Sequence, residues 1–473
     1  MSMKTTAEPL QNLVLGPLLT EEQARQIYQQ GEEAVVFALL TLAQQAATPS
    51  APAPSTPSAM VPPYQKPTTR SPRKTPGRKA GHTGNRRPIP QRIDQRQTHR
   101  LKRCSACGGP LQRCEQTRTR YTEDIPKDIT PVVTEHTIHR DWCPHCRRHV
   151  EPVVPAALPK ATLGNRVLVL SAWLHYGLGN TLSQIVEIFN HHLQIKLTEG
   201  GLIQMWYRLQ AVLFGWYLQI QAEAMTSAVL HADETGWRVN GKTHWLWCFS
   251  TPQLTFYMID RSRGSPALRK FFQEEFNGIL ISDFWGAYNA VLCRKRQMCL
   301  VHLLRDLEYV ETYKGADKDW PAFAKKLRRL IHDAIRLWRR DNMAASEFAS
   351  RRARLDGRLS QLIETDWRHP ESRRLVKRLR RHRHELFTFL DEADVPFDNN
   401  HAERAIRPAV LIRKNSYSNR SRRGADAQAV LMSVYRTLKQ RGYHPIETIV
   451  KAIESYLTTG KLPPLPAPST TDG

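Results

Sequence analysis

The chain has 473 residues, which is enough for several domains and a sizeable hydrophobic core. Lysine and arginine outnumber aspartate and glutamate by 69 to 44, and the net charge of +25 favours a polyanionic partner, because phosphates release counterions when basic side chains bind them. We expect no membrane association, since no apolar run approaches the roughly 18 residues that a span requires.

The N-terminal part divides into a helical region, residues 1–46, and a polar arm, residues 47–103. Thr20 is a suitable N-cap and Ala34 to Ala43 carry an apolar face, which predicts a helix over residues 20–46 that could serve in oligomerisation. The arm begins with the composition of a disordered linker and continues into a basic, glycine-containing stretch with almost no acidic residues. Within that stretch we expect phosphate contacts from Arg78, Lys79, Arg86 and Arg87.

Eight cysteines in a chain expected in a reducing cytoplasm indicate metal binding or core packing, not disulfides. Four of them form two Cys-x-x-Cys pairs in a small domain over residues 104–153: Cys104, Cys107, Cys143 and Cys146. Such pairs supply four thiolates in tetrahedral geometry, so we predict a structural Zn²⁺ site, with unligated core cysteines as the alternative. Cys114 and His145 are spare candidate ligands, and Val132 to Arg140 could form a hairpin between the pairs.

Residues 160–225 have helical periodicity. Two apolar faces recur at helical spacing, one through Leu182, Ile185, Val186 and Phe189 and one through Leu202, Met205, Trp206 and Leu209. Leu197 to Gly201 has the residues of a turn, which is compatible with a helix-turn-helix that binds DNA. A helical packing domain explains the pattern equally well, and both alternatives stay open.

From residue 226 the periodicity becomes strand-like. Three consecutive strands, a helix and a fourth strand are predicted, which is the opening of an RNase H-type mixed sheet. The predicted strands are Ala228–His231, His244–Ser250, Leu254–Asp260 and Gly278–Ser282. Residues 226–309 would form the first part of this α/β domain and residues 396–462 its second part. Between them, apolar residues at helical spacing predict an all-helical insertion over residues 310–395. After the second part, we expect residues 463–473 to form a disordered tail.

Three carboxylates stand in distinctive positions. Asp233 and Asp283 each follow an apolar strand, and Glu403 lies in a helix-compatible stretch beyond the predicted insertion. An acid at the end of a buried strand is costly unless it is paired or binds a metal, and Mg²⁺ prefers carboxylate oxygens. The three therefore predict a site for two Mg²⁺ ions that acts in phosphoryl transfer on nucleic acid. Glu234 is the obvious rival ligand, but on a strand it faces away from Asp233.

Other residues near these acids could act on DNA. Cys299, His302 and Arg305 fall on adjacent turns of a predicted helix and either face the site or pack in the core. Asn400 could orient a ligand or cap a helix, and Pro408 is expected to end the local turn. The basic residues expected to contact phosphates here are Arg404, Arg407, Arg413 and Lys414.

The sequence resembles the DDE transposases of the insertion sequence 66 family from the N-terminal helix to about residue 462. The segments that carry the resemblance are His231-Ala-Asp-Glu-Thr235, Asp283-Phe-Trp-Gly-Ala-Tyr288, Asp398-Asn-Asn-His-Ala-Glu-Arg-Ala-Ile-Arg-Pro408 and Arg413-Lys414-Asn415. The resemblance implies an RNase H-like catalytic domain with Asp233, Asp283 and Glu403 as its metal-binding triad, and a zinc-binding domain near the N-terminus. After Asn415 the family usually continues Trp-Leu-Phe and then a Gly-Ser pair, whereas this chain has Ser416 to Ser421.

These features predict a DNA transposase located in the cytoplasm in association with the nucleoid. A water activated between two Mg²⁺ ions would cut a phosphodiester at the end of the element, and the freed 3′-hydroxyl would attack target DNA. The expected partners are the element ends, target DNA and a second copy of the chain, and the need for accessory proteins stays open. Two alternatives remain: a nuclease of the same fold that does not join DNA, and a DNA-binding regulator with an inactive catalytic domain.

Overall fold

The computed structural model describes residues 21–29, 31–32, 35–36, 39, 89–112, 118–126, 129–314, 317, 319–339 and 343–469. The predicted phosphate contacts of Arg78, Lys79, Arg86 and Arg87 lie outside these ranges. The chain divides into two compact units, the larger from Met1–Pro67, His136–Val186 and Leu197–Gly473 and the smaller from Thr68–Glu135 and Glu187–Lys196. Across the described residues, no helix is both long and apolar enough to cross a membrane.

The described residues of the cysteine-bearing region contain little regular structure. Helix α1, Glu21–Gln29, precedes it. Strand β1, Asp141–Cys143, pairs antiparallel with β2, Arg148–Val150, and the second cysteine pair lies at the turn between them. The hairpin predicted over Val132–Arg140 is therefore wrong. A tight turn that ends at Arg147, whose φ is +50°, closes the observed hairpin instead.

Three further helices lie between the cysteine-bearing region and the main sheet. Helix α2, Asn165–Ala172, continues as a π-helical turn over Trp173–Gly177, and α3, Leu182–Glu187, continues as another over Ile188–His192. Helix α4 covers Glu199–Met225, and the hydroxyl of Thr198 caps it by accepting a hydrogen bond from the backbone N of Gly201 at 3.1 Å.

The main sheet has five strands in the order β5-β4-β3-β6-β7. The strands are β3 (Val229–Val239), β4 (Lys242–Thr251), β5 (Leu254–Asp260), β6 (Phe276–Ser282) and β7 (Cys293–Met298). The first three form an antiparallel meander, helix α5 (Ser265–Phe271) leads into β6, and β6 and β7 run parallel to β3. Strand β7 was not predicted, because its sequence Cys-Arg-Lys-Arg-Gln-Met lacks the apolar pattern of a buried strand.

Beyond β7, the described part of the region before Glu403 is mainly helical, and its helices begin at Leu300. It comprises α6 (Leu300–Tyr313), α7 (Trp320–Trp338), α8 (Ala345–Glu364), α9 (Pro370–Arg381) and α10 (Thr388–Asp391). The apolar faces of these helices share one hydrophobic core with Ile279 and Ile281 of β6, and Trp320 and Phe323 are fully buried in it. The insertion is thus packed onto the sheet, which burial of this apolar surface stabilises.

Three helices complete the chain: α11 (Asn400–Ser416), α12 (Arg422–Gln440) and α13 (Pro445–Thr459). The prediction that Pro408 ends the turn after Glu403 is wrong, since Pro408 lies inside α11. An internal proline removes one helical hydrogen bond. The helix persists because neighbouring side chains on one face, including Ile406, Ala409 and Ile412, are buried.

Helices cover both edges of the sheet. On edge strand β5, the backbone N of Tyr257 donates to Ser433 Oγ of α12 at 2.9 Å, and that of Thr255 donates to Thr437 Oγ1 at 3.1 Å. On the other edge, Thr388 of α10 donates to the carbonyl of Arg296 in β7 at 2.6 Å. Backbone groups that would otherwise face solvent on an edge strand are therefore satisfied.

Helix α4 packs along β5 and α12. It buries apolar residues over several turns, namely Leu209, Leu213, Trp216 and Ile220. This is the arrangement that the packing-domain alternative predicts for α4. DNA binding through a helix-turn-helix in this region stays a prediction.

Candidate active site

Asp233 and Asp283 lie where β3 and β6 stop pairing. β3 pairs with β6 only from Val229 to His231, while β4 pairs with β3 as far as Val239. The prediction that Asp233 ends its strand is therefore wrong, because pairing with β4 carries β3 onward. Asp283 directly follows β6, as predicted. The two aspartates thus come from neighbouring strands just beyond their last shared pair.

Glu403 lies in the first turn of α11, and Asn399 fixes the start of that helix. The buried Asn399 donates through Nδ2 to the carbonyl of Ala232 at 2.8 Å, and its Oδ1 lies 3.1 Å from His231 Nδ1. Its backbone N donates to the sulfur of Cys299 at 3.2 Å. Asn399 therefore joins α11 to β3, next to Asp233, and to the start of α6. The side chain of Asn400 instead donates to Asp398 at 2.7 Å.

The three carboxylates are close enough to influence one another electrostatically. Burial raises the pKa of Asp233 well above its ordinary value, and the negative charges of Glu234, Asp283 and Glu403 raise it further. The positive charge of His302 acts in the opposite direction. Asp233 is partly accessible to solvent. A cation placed here would relieve the repulsion among these carboxylates.

Helix α6 presents two basic side chains to the acids. Arg305 forms a two-pronged ion pair with Glu403, with Nη1 to Oε1 at 2.8 Å and Nη2 to Oε2 at 3.1 Å. Burial lowers the pKa of His302. The opposite effects of Cys299 and Asp283 are together larger and raise that pKa to about 9. These residues were expected either to face the site or to pack in the core. Cys299 packs in the core, because it is fully buried, whereas His302 and Arg305 face the acids.

Glu234 points to the opposite face of β3, as its place on the strand predicts. Its Oε1 accepts a hydrogen bond from Arg263 Nη2 at 3.0 Å, and its Oε2 accepts one from the Tyr288 hydroxyl at 2.6 Å. Burial raises the pKa of Glu234 to about 7, and Asp283 adds to this while Arg263 and Tyr288 oppose it. Sequence reasoning missed Arg263, because nothing in its local sequence connects it to a residue on β3.

The acids offer a donor set that suits Mg²⁺, since all three are carboxylates and the charges of Asp283 and Glu403 raise the pKa of Asp233. Among the residues that the structure describes, however, no three His, Cys, Asp or Glu side chains are gathered closely enough to hold a metal ion. Both oxygens of Glu403 are hydrogen-bonded to Arg305. Coordination by Glu403 would therefore require its carboxylate to exchange that partner.

Each Cys-x-x-Cys pair stabilises a thiolate locally. Backbone hydrogen bonds from Cys107 and Ala106 lower the pKa of Cys104. The backbone N of Cys146 donates to the sulfur of Cys143 at 3.4 Å, and this bond lowers the pKa of Cys143. Thiolates are the form of cysteine that binds Zn²⁺. Cys114 lies outside the described residues.

The predicted phosphate-binding residues of α11 differ in exposure. Arg404, Arg407 and Lys414 are exposed. Arg413 is only half exposed, and its Nη1 donates to the hydroxyl of Thr235 on β3 at 2.9 Å. Part of the hydrogen-bonding capacity of Arg413 is therefore used within the protein.

The loop that departs from the family pattern is anchored to the end of β3. Asn419 accepts a hydrogen bond from Trp237 Nε1 at 2.8 Å, and its backbone N donates to the carbonyl of Arg238 at 3.1 Å. Tyr417 and Ser418 both have positive φ, +55° and +74°, and Tyr417 is 88% exposed. The loop thus combines a strained backbone with an exposed aromatic ring.

Comparison with known proteins identifies the family. The model described as "Transposase IS66 family" matches residues 160–427, more than half of the chain. The chain belongs to the IS66 family of transposases. The matched range of this IS66-family chain contains the whole five-stranded sheet, Asp233, Asp283 and Glu403.

Two curated relatives of this IS66-family chain come from Sinorhizobium fredii (strain NBRC 101917 / NGR234). Uncharacterized protein y4qI is 24% identical over 281 residues, which cover 50% of this chain and 50% of the relative. Uncharacterized protein y4hP is 22% identical over 384 residues, which cover 72% of this chain and 68% of the relative. The chain therefore spans half the length of the first relative and about two thirds of the second.

Proposed function

We propose that this chain is a DDE transposase that cuts DNA at the ends of an insertion sequence and joins the freed 3′-ends to target DNA. The observation that carries the proposal is the convergence of three acid-bearing elements: Asp233 and Asp283 follow the last shared pair of β3 and β6, and Asn399 joins the helix that carries Glu403 to Ala232 of β3. The strand order β5-β4-β3-β6-β7, an antiparallel meander followed by two parallel strands, supports an RNase H-like catalytic domain. Family membership supports the same activity.

In this mechanism Asp233, Asp283 and Glu403 would hold two Mg²⁺ ions. When bound, these ions supply Lewis acidity and lower the pKa of an attacking water. Asn399 keeps the helix that carries Glu403 joined to the strand that carries Asp233. The pKa of His302 is raised, in part by the nearby charge of Asp283. Together with Arg305, this histidine would favour a phosphate group at this place.

DNA contacts would come from exposed basic residues. Arg404, Arg407 and Lys414 lie on the helix that carries Glu403, and the net charge of +25 supplies a general attraction to phosphates. The basic arm that includes Arg78 and Arg86 would extend these contacts along the DNA. Joining two element ends to one target requires two copies of the chain, so we propose a homo-oligomer on DNA.

The proposed activity can be tested with the purified full-length protein, Mg²⁺, a labelled duplex carrying the element end, and a target plasmid. We expect inverted repeats to flank the gene, and these would supply the end sequences. We expect cleavage at the repeat boundary and a product in which the labelled end is joined to the plasmid. Cleavage without a joined product, even from pre-cut ends, would favour the nuclease alternative. Specific binding without either reaction would favour the regulator.

We further propose that the cysteine pairs bind Zn²⁺, because each pair lowers the pKa of one of its thiols. Elemental analysis of the purified protein is expected to find zinc, and Cys104→Ser and Cys143→Ser are each expected to reduce its content. Cys293→Ser, in β7, is the control and should retain the zinc of the wild type. Zinc contents that are equal in all four proteins would contradict the proposal.

A further inference from the structure

On the face of β3 opposite Asp233, buried and half-buried side chains form what we call the back-face cluster: Glu234, Trp247, Arg263, Trp285 and Tyr288. Glu234 lies at its centre and is 1% exposed. Its carboxylate binds Arg263 on one side and Tyr288 on the other. Trp247, the cross-strand neighbour of Glu234 on β4, packs edge-on against Tyr288 with ring centroids 5.9 Å apart.

Arg263 is fixed by more than its ion pair with Glu234. Its guanidinium carbon lies 3.8 Å from the ring centroid of Trp285 and 4.5 Å from that of Trp245. The carbonyl of Arg263 accepts a hydrogen bond from Trp285 Nε1 at 3.0 Å. A planar guanidinium stacked on indole rings and paired with a buried carboxylate has little freedom to move.

The cluster is connected to Asp283 through Trp285. The backbone N of Trp285 donates to Asp283 Oδ1 at 2.9 Å, so the position of Trp285 fixes the direction of that carboxylate. Tyr288, in the 3₁₀ turn Gly286–Ala290 that follows, holds the same segment to Glu234. The segment that begins at Asp283 is thus attached at two points to Arg263 and Glu234.

We propose that Arg263 is a positioning residue that orients Asp283 for divalent-cation binding, through its stacking on Trp285 and its ion pair with Glu234. This proposal rests on the proposed function, because it requires Asp283 to bind a cation. An ion pair with a purely structural role contributes to folding stability and leaves the affinity for a cation unchanged. A positioning residue changes that affinity although it does not touch the cation.

The test measures Mn²⁺ binding to the full-length protein without DNA, from the paramagnetic resonance signal of the free ion. Arg263→Ala is expected to weaken binding about 10–100-fold, the range found for residues that orient a metal ligand. Arg263→Lys keeps the charge but not the planar group, so only part of the affinity should return. Arg261→Ala removes an exposed arginine from the same loop and is expected to bind like the wild type.

The outcomes separate this proposal from the proposed function. If Asp283→Asn loses Mn²⁺ binding but Arg263→Ala binds like the wild type, the positioning role is wrong and the metal site stands. If Asp283→Asn and the wild type bind equally, the proposed metal site itself fails. Tyr288→Phe provides a variant that leaves no cavity, should Arg263→Ala not fold. It removes one hydrogen bond to Glu234 and is expected to weaken binding a few-fold, and unchanged affinity would count against the proposal.

Discussion

Asp233→Asn is expected to abolish DNA cleavage and joining and, at the same time, to raise the melting temperature of the metal-free protein. Activity should fall more than about a hundredfold, because even residues that only orient a metal ligand cost up to that factor. Stability should rise, since the amide removes a carboxylate whose ionised form is disfavoured by burial and by the charges of Glu234, Asp283 and Glu403. Activity assays and thermal unfolding in a chelating buffer measure the two effects.

The sign of the stability effect depends on pH. The pKa of Asp233 is raised in the folded protein, so folding favours its protonated form and the wild type loses stability as pH rises above the ordinary pKa of an aspartate. The gain from Asp233→Asn should therefore be small near pH 4 and larger at neutral pH. A variant that is inactive and less stable than the wild type at neutral pH would show that Asp233 is not held among like charges.

Glu403→Gln is expected to cause a comparable loss of activity but the opposite change in stability. Glu403 is paired with Arg305 by two hydrogen bonds, and the substitution leaves the guanidinium without its counter-charge. The cost should be about 1 kcal/mol, a low value for a broken ion pair because the Arg305 side chain is 40% exposed. Thermal unfolding in the same chelating buffer should show a lower melting temperature than that of the wild type.

The matched control is Glu447→Gln, which breaks the surface ion pair between Glu447 and Arg166. Its activity should equal that of the wild type, and its stability should change little. If Glu403→Gln retains full activity, the third acid of the proposed triad must be sought elsewhere. If it raises stability as Asp233→Asn does, the ion pair with Arg305 does not stabilise the folded protein.

Local sequence patterns were sufficient for much of the main sheet and the helices packed on it. The antiparallel strands, the fourth strand before Asp283 and the helical insertion each have a periodicity that shows in a short window. The end of β3 could not be predicted in this way, because its continuation through Asp233 to Val239 depends on pairing with β4. Strand β7 was missed for a similar reason, since a charged sequence becomes a strand only where β6 offers it a partner.

The candidate site was predictable in its acids but not in their surroundings. Asp233 and Asp283 could be found because an acid after an apolar run is unusual. The roles of Asn399 and Arg263 depend on contacts with residues far along the chain, at Ala232 and Glu234. No local pattern contains such information, because these residues are far apart in the sequence and meet only in the folded protein.

The covered sheet edges restrict how copies of this chain can assemble. Hydroxyl groups of α12 already accept hydrogen bonds from β5 at Thr255 and Tyr257, and α10 donates to β7 at Arg296. A second copy therefore cannot extend the sheet at these positions by adding a strand. The same cover hinders partly folded chains from aggregating through the edges of the sheet. An assembly that brings two DNA ends together must then be built from helical surfaces, the N-terminal region or the DNA itself.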